Sequence, residues 1–455
     1  MKDPQGKVVR IGAGGAFAGD RVDAPRILAE RGDLDYMVFD SQSEGSFAAA
    51  SRRKGQGGIG YDIHLERRIR NVLPACREHG VRMIMNAGGA DVLGAVECVR
   101  RACASIGIDD LTIAYVLPSD ITDLILDLDP IVAETGKKVS ELPVPIVGAQ
   151  AYQSAAPIAE ALASGADIVI TSKTGDSAQY LGPLAYEFGW DFNDVEAIGP
   201  GLGIGHLLEC GSMVSGGAFH DGEFHEVPDL ENIGYPIAEV TSDGTCVITK
   251  AEGTGGVVNE MTVKQMLVYE IGDPKDYRHT DATIDFSEVE VQQVGENRVH
   301  VTGFRGRPKP EKIKVTLGGT EGYVAVGRVG YGGTGAYRRA KRASEIIVNR
   351  MEKVHGVAPS ALHVDFLGVD ALYPWPNVDP DAAMEVFLRI AGHFDTVESA
   401  RELIFEMPQL AGRGPAGISH GLHLDATSGP DEIIGLYTAF IPRDLVTYET
   451  HVEKL

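Results

Sequence analysis

Through its first half the chain repeats one pattern: a short run rich in Val and Ile, a Gly-rich or polar turn, then a longer stretch with its charged residues on one helical face. The runs lie at residues 8–11, 36–39, 81–85, 111–116, 146–147 and 167–170. Strands buried on both faces read this way, and helices between them are the crossovers of parallel pairing. A helix is expected over residues 65–79, interrupted at Pro74. From about Gly234 the texture turns to polar and apolar alternation, as at residues 288–291 and 298–302 around the turn Gly295-Glu296-Asn297, which predicts a hairpin. Strands at 312–316, 323–329 and 362–366 and helices at 335–353 and 382–392 complete the reading. The fold class expected is α/β. A mostly parallel sheet with Gly-rich ligand loops forms an N-terminal domain over 1–240, and a second, mixed α/β domain covers 241–455.

In sheets of that kind ligands bind beyond the carboxyl ends of the strands, so the loops after each run are where chemistry is sought. Gly12, Gly14 and Gly15 follow the first strand and lead to Asp20. They suit backbone amides approaching an anion at a helix start, although Phe17 breaks the dinucleotide spacing. Asn86 and Gly88 follow the third run, where an amide can both donate to and accept from a carboxylate or thioester oxygen; a plain tight turn selects the same residues. Lys173, Asp176 and Ser177 place a cation, a carboxylate and a hydroxyl in one loop after residues 167–170, with a capped helix start as the alternative. His206 and Glu209 share a helix face at a spacing of three, and Cys210 beside them is either a nucleophile or a small buried residue. A divalent metal on His206, Glu209 and Asp176 has no diagnostic spacing. Gly255 sits in a later Gly-rich turn. Arg338 belongs to a basic helix start after Gly330 to Gly335 that can receive a phosphate or carboxylate, such as the anionic part of coenzyme A, or be an ordinary solvated face.

Composition narrows the function classes. With 44% hydrophobic and 23% charged residues the 455-residue chain is globular in type. A formal charge of −24 disfavours nucleic acid and anionic membranes as partners. No run is long and apolar enough to span a bilayer, the N-terminal residues lack a secretion signal's apolar region, and the five cysteines form no C-x-x-C pair, so a cytoplasmic protein with reduced thiols is expected.

Several segments taken together resemble the acyclic terpene utilisation (AtuA-type) family: residues 10–21 (RIGAGGAFAGDR), 165–183 (GADIVITSKTGDSAQYLGP), 206–217 (HLLECGSMVSGG) and 234–257 (GYPIAEVTSDGTCVITKAEGTGGV), over about the first three quarters of the chain. Lys173 and Met213 stand where members of that family commonly carry Arg and Gln. A lysine holds an anion as a point charge without the two-pronged grip of arginine. The resemblance implies a role in breaking down branched acyclic acids. With the loop chemistry, it leads to the expectation of a lyase or hydratase acting on a small branched carboxylic acid or its coenzyme A thioester. In this expectation Asp176 or Glu209 moves the proton, and Lys173, Asn86 and glycine amides steady an enolate. The alternative is a non-catalytic subunit that holds such an acid or acyl-CoA. Self-association and a small companion subunit are expected with either.

Overall fold

The computed structural model describes residues 6–373, 376, 379–419 and 429–455. In chain order its elements begin β1 (Val8–Gly15), α1 (Asp23–Arg31), β2 (Tyr36–Phe39), α2 (Glu44–Gly55), α3 (Leu65–Glu78), β3 (Arg82–Met85), α4 (Val92–Ser105), β4 (Thr112–Leu117) and α5 (Thr122–Leu128). They continue with β5 (Ile146–Ala151), α6 (Ala156–Ala163), β6 (Ile168–Ile170), α7 (Ala178–Phe188), α8 (Val195–Glu209), β7 (Pro236–Thr241), β8 (Cys246–Lys250), α9 (Glu260–Val268), β9 (Tyr277–Arg278) and β10 (Thr283–Asp285). The hairpin β11 (Glu290–Gly295) and β12 (Arg298–Thr302) follows, then β13 (Arg305–Arg307), β14 (Lys312–Gly332), α10 (Ala336–His355), β15 (Leu362–Leu367), β16 (Glu385–Phe394), α11 (Val397–Glu406), α12 (Leu410–Arg413), β17 (Asp431–Pro442) and β18 (Glu449–Lys454).

The chain divides into two compact units, Met1–Gly318 with Leu436–Leu455, and Gly319–Gly435. The first holds a ten-stranded sheet ordered β11-β12-β8-β7-β1-β2-β3-β6-β4-β18. Its centre, β1-β2-β3-β6-β4, is parallel throughout, and both flanks are antiparallel. Strand pleating sends alternate residues to opposite cores. Val9, Ile11, Val38, Ile84 and Val169 meet α6, α7 and α8 on one face, while Met37, Phe39, Met83, Met85 and Ile170 meet α1, α3 and α4 on the other. Burial on both sides is why these strands read as apolar runs. The change of texture near residue 240 marks the passage from parallel to antiparallel pairing inside this one sheet, whereas the two units part at Gly319 and Gly435.

In the second unit, residues 323–332 of β14 pair antiparallel with β16, which also pairs with β15, and α10 and α11 supply the apolar cover through Ala340, Ile347 and Leu403. Three local expectations are corrected here and in the first unit. The stretch expected as a helix at 382–392 is β16: its burial alternates from Val386 to Phe394, so a period of two prevails over the helix-forming tendency of Leu388, Arg389 and Ala391. The separate strands at 312–316 and 323–329 are one strand, β14. Pro74 does not interrupt α3. It lies on the exposed face, where water can take the Arg70 carbonyl that loses its helical partner.

Candidate active site

Because β2, β3 and β6 run parallel, the residues that follow them emerge along one edge of the sheet: Asp40, Ser41 and Gln42 after β2, Asn86 after β3, and Ser172 to Ser177 after β6. Asn86 is fully buried and spends its amide on its neighbours. Its Nδ2 donates to Asp40 Oδ1 at 2.5 Å, and its Oδ1 accepts from the Ser41 amide at 2.6 Å. Asn86 thereby holds Asp40. Burial and then the nearby Asp176 push the Asp40 carboxyl well above the usual carboxylate range, against the pull of Lys173 and Asn86.

Lys173 is buried to 3% exposure, yet its ammonium is fully matched in charge. Nζ donates to the Gln42 carbonyl at 2.9 Å, pairs with Asp176, and stands 5.5 Å from the Tyr152 ring centroid. Burial alone would discharge it, but Asp176 and Asp40 outweigh that and raise its pKa well above the ordinary lysine value. A second lysine also approaches the Tyr152 ring: Lys314 Nζ lies 4.8 Å from the centroid and 3.1 Å from Glu44 Oε1, which also accepts from the Tyr152 hydroxyl. Burial works against charge on Glu44, but Lys173, Tyr152 and Lys314 prevail and hold its carboxyl down at about 2.

Ser177 precedes α7 but does not cap it: its Oγ instead donates to Glu209 Oε2 at 3.1 Å. That contact depends on Gly205, where a Cβ would stand 2.8 Å from Ser177 Cα, so α8 can lie directly against the turn. Glu209 Oε1 is 3.0 Å from His206 Nδ1, and His206 Nε2 is 2.9 Å from the Met266 carbonyl, which can only accept. Burial opposes charge on this imidazole, but Glu209 and the carbonyl overcome it and raise the His206 pKa. Its ring is flanked by Tyr277 and Phe286, and its two nitrogens face Glu209 and the Met266 carbonyl. The Cys210 thiol is driven far up by burial and then by Glu209, so it stays protonated at neutral pH.

Several buried polar atoms in this region have no partner among the described residues: Ser41 Oγ, Gln42 Oε1, Gln150 Nε2, Gln153 Oε1, Thr174 Oγ1, both amide atoms of Gln179, and the Tyr180 hydroxyl. Buried polar atoms are ordinarily satisfied, so a concentration of orphans marks a place prepared for a ligand or water. Two cavities lie in this region, and Ser41 and Gln42 line the smaller. One of about 230 Å³ is lined by Ser41, Gln42, Asn86 and Gly89; one of about 1010 Å³ is lined by Glu44, Tyr152, Asp176, Tyr277 and His279.

The structure thus brings together Asn86, Lys173, Asp176, Ser177, His206, Glu209 and Cys210. Other expected residues do different work. Gly12 and Gly14 lie inside β1, where a Cβ would strike Leu34 at 2.7 Å and the Phe39 ring at 2.5 Å, so close packing explains them. No helix starts there, since α1 begins only at Asp23. Gly15 accepts the Asp40 amide at 3.1 Å. Asp20 receives the Ala16 and Arg21 amides at 2.9 and 2.8 Å from its own loop and the hydroxyl of the distant Tyr235. Gly88 and Gly255 permit close backbone approach, to Thr171 O at 2.7 Å and Asp229 O at 1.8 Å from an ideal Cβ. Arg338 belongs to the second unit, where Asp381 takes both its Nε and Nη2 at 2.9 and 2.7 Å. Among the described residues no group of three His, Cys, Asp or Glu side chains is arranged to hold a metal, and both nitrogens of His206 are already engaged. No described helix is long and apolar enough to cross a membrane.

Asp40, Glu44, Tyr152, Gln42 and Tyr180 were not singled out from the sequence. Asp40 and Gln42 carried a readable signal, their position directly after a buried strand, and Tyr180 lies three residues after Ser177. Glu44 and Tyr152 are joined to the site by contacts remote in the chain.

The fold and this edge define an α/β protein with a buried acid and cation site at the carboxyl ends of its parallel strands. The chain belongs to the acyclic terpene utilisation family: the model of family protein AtuA matches residues 9–452, well beyond the first three quarters marked by the motifs. No curated protein and no solved structure matches the chain.

Proposed function

We propose that the chain is a lyase of the hydratase type, acting on a small branched carboxylic acid or its coenzyme A thioester. The observation that carries this reading is the pair Asp40 and Asp176 in opposite roles around one buried ammonium. Asp40 is held toward its protonated form, and Asp176 is ion-paired with Lys173. Two carboxyls whose surroundings separate them in this way can serve as donor and base in the same reaction. Asp176, on the wall of the larger cavity, takes a proton from the carbon next to the carboxylate or thioester. The electron pair moves toward that group's oxygen, where the Lys173 charge and the Asp40 O–H stabilise it. The unpartnered Gln150 Nε2 and Tyr180 hydroxyl provide further donors, and Gln42 Oε1 a further acceptor, in a region shielded from water. A cavity of about 1010 Å³ is at the upper end for small-molecule sites, which suits an acid carrying part of a thioester.

The test is turnover of a panel of branched β-hydroxy acids and their coenzyme A esters by the purified chain, with binding measured in parallel by calorimetry. Asp176→Asn and Lys173→Met, folded by circular dichroism, are expected to lose about 100-fold or more in kcat. Undiminished turnover in both variants defeats the reading, and binding without turnover in the parent chain makes it a holding subunit instead.

A further inference from the structure

His279 lies in the tight turn between β9 and β10, on the wall of the larger cavity that Asp176 and Tyr277 also line. The ring is buried, and its Nε2 has no partner among the described residues. Everything else about it is fixed. The His279 amide donates to the Ala282 carbonyl at 3.0 Å, and Arg443 donates to the Thr280 carbonyl at 3.1 Å. Nδ1 faces Asp281, with the backbone amide at 3.5 Å and carboxylate Oδ2 at 3.6 Å, and that carboxylate is itself anchored by the Ala155 amide at 3.0 and 3.2 Å. Gly175, the residue before Asp176, makes room for the ring: a Cβ there would stand 2.3 Å from Nε2.

An imidazole with one nitrogen turned to a fixed amide and carboxylate, and the other left unpartnered on a ring that lines a cavity, is the arrangement of an oriented acid or base. We propose that His279 is a second proton-transfer group of this site, with Asp281 as its positioning residue, and that it serves the oxygen that leaves or joins the substrate. This rests on the lyase reading above. In the dehydration direction Asp176 takes the proton from the α-carbon, whose electron pair forms the double bond. The β-carbon–oxygen bond breaks with its pair on oxygen, and that oxygen takes the Nε2 proton of the His279 imidazolium and departs as water. Asp176 is left protonated and His279 neutral, and one proton returned from the first to the second resets the pair. Hydration is the reverse. Asp281 can accept from Nδ1–H while the ring is charged and offers its amide to Nδ1 while it is neutral, so the ring stays oriented in both states.

The probes are β-hydroxyisovalerate and its coenzyme A thioester, with the conjugated product followed by ultraviolet absorbance and binding by calorimetry. His279→Ala is expected to lower kcat by about 100-fold while KM stays within about threefold, and free imidazole in the buffer is expected to restore part of the loss. Asp281→Asn is expected to lower kcat less and to gain nothing from imidazole. His279→Asn, which keeps a polar group of similar reach, guards against a folding defect. If the parent chain turns over a probe and either folded His279 variant keeps kcat within about threefold, or imidazole restores nothing to His279→Ala, the His279 proposal is overturned while the lyase reading stands. If the parent chain binds the probes without turnover, the lyase reading fails and affinity decides for His279. About tenfold weaker binding in His279→Ala keeps it as a ligand contact, and unchanged binding overturns it. Absence of both binding and turnover counts against both.

Discussion

Glu209 illustrates how single residues are tuned here by the groups they are made to share. One carboxylate oxygen accepts from Ser177 and the other faces a His206 ring whose second nitrogen is committed to a carbonyl, so the imidazole binds its proton more tightly than a free one. The His206 pKa lies above its unfolded value of about 6.5. A raised pKa means the folded state binds the proton more tightly, so this stabilisation is fully present below pH 6.5 and is lost as pH rises through the folded value. The urea midpoint of the parent chain is therefore expected to fall relative to that of His206→Asn between pH 6 and pH 9, and parallel midpoints across that range would show the pair to be uncoupled. The identities of Lys173, Asp176 and Ser177, and their place after a buried strand, were readable in the sequence because they are local. The raised pKa of Asp40 was not, since it comes first from burial and then from Asp176, Lys173 and Asn86, all distant in the chain.

At the scale of elements, α8 decides where Glu209 stands, and three glycines decide where α8 stands. A Cβ at Gly199 would meet the Gly306 backbone nitrogen at 2.3 Å, at Gly203 the Phe304 ring at 2.2 Å, and at Gly205 the Ser177 backbone. Backbone cannot rotate aside as a ring can, so Gly199→Ala is expected to destabilise more than Gly203→Ala, each on the order of 1–3 kcal/mol. Urea unfolding of the two variants checks the order, and the reverse ranking would mean that the ring is the less yielding neighbour. From sequence alone such glycines look like poor helix formers, and nothing in them announces which partner they approach. The element that misled most was β16. Its leucine, arginine and alanine favour a helix in isolation, but pairing with β14 along its whole length and with β15 over Phe387–Gly392 satisfies its backbone in a ladder and buries alternate residues.

For the molecule as a whole, the excess of 65 acidic over 41 basic residues sets a background of self-repulsion that the internal ion pairs do not remove. Raising salt from about 10 mM to about 200 mM shrinks the screening length from roughly 30 Å to under about 10 Å, so the melting temperature is expected to rise over that range. A fall would mean that favourable surface pairs outweigh the net charge. The ten-stranded sheet was half legible. The parallel centre appeared as apolar runs because burial on both faces leaves a local signature, and the hairpin of β11 and β12 appeared because its turn and alternation are contiguous. By themselves the residues determined the α/β class, the family, and the loop holding Lys173, Asp176 and Ser177, since each is written in neighbouring positions. Strand order, the parting of the units at Gly319 and Gly435, the upward shift of the Asp40 pKa and the arrival of Tyr152, Glu44 and His279 at one cavity were decided only in three dimensions. Burial and electrostatic coupling depend on distance in space, and separation along the chain does not report it.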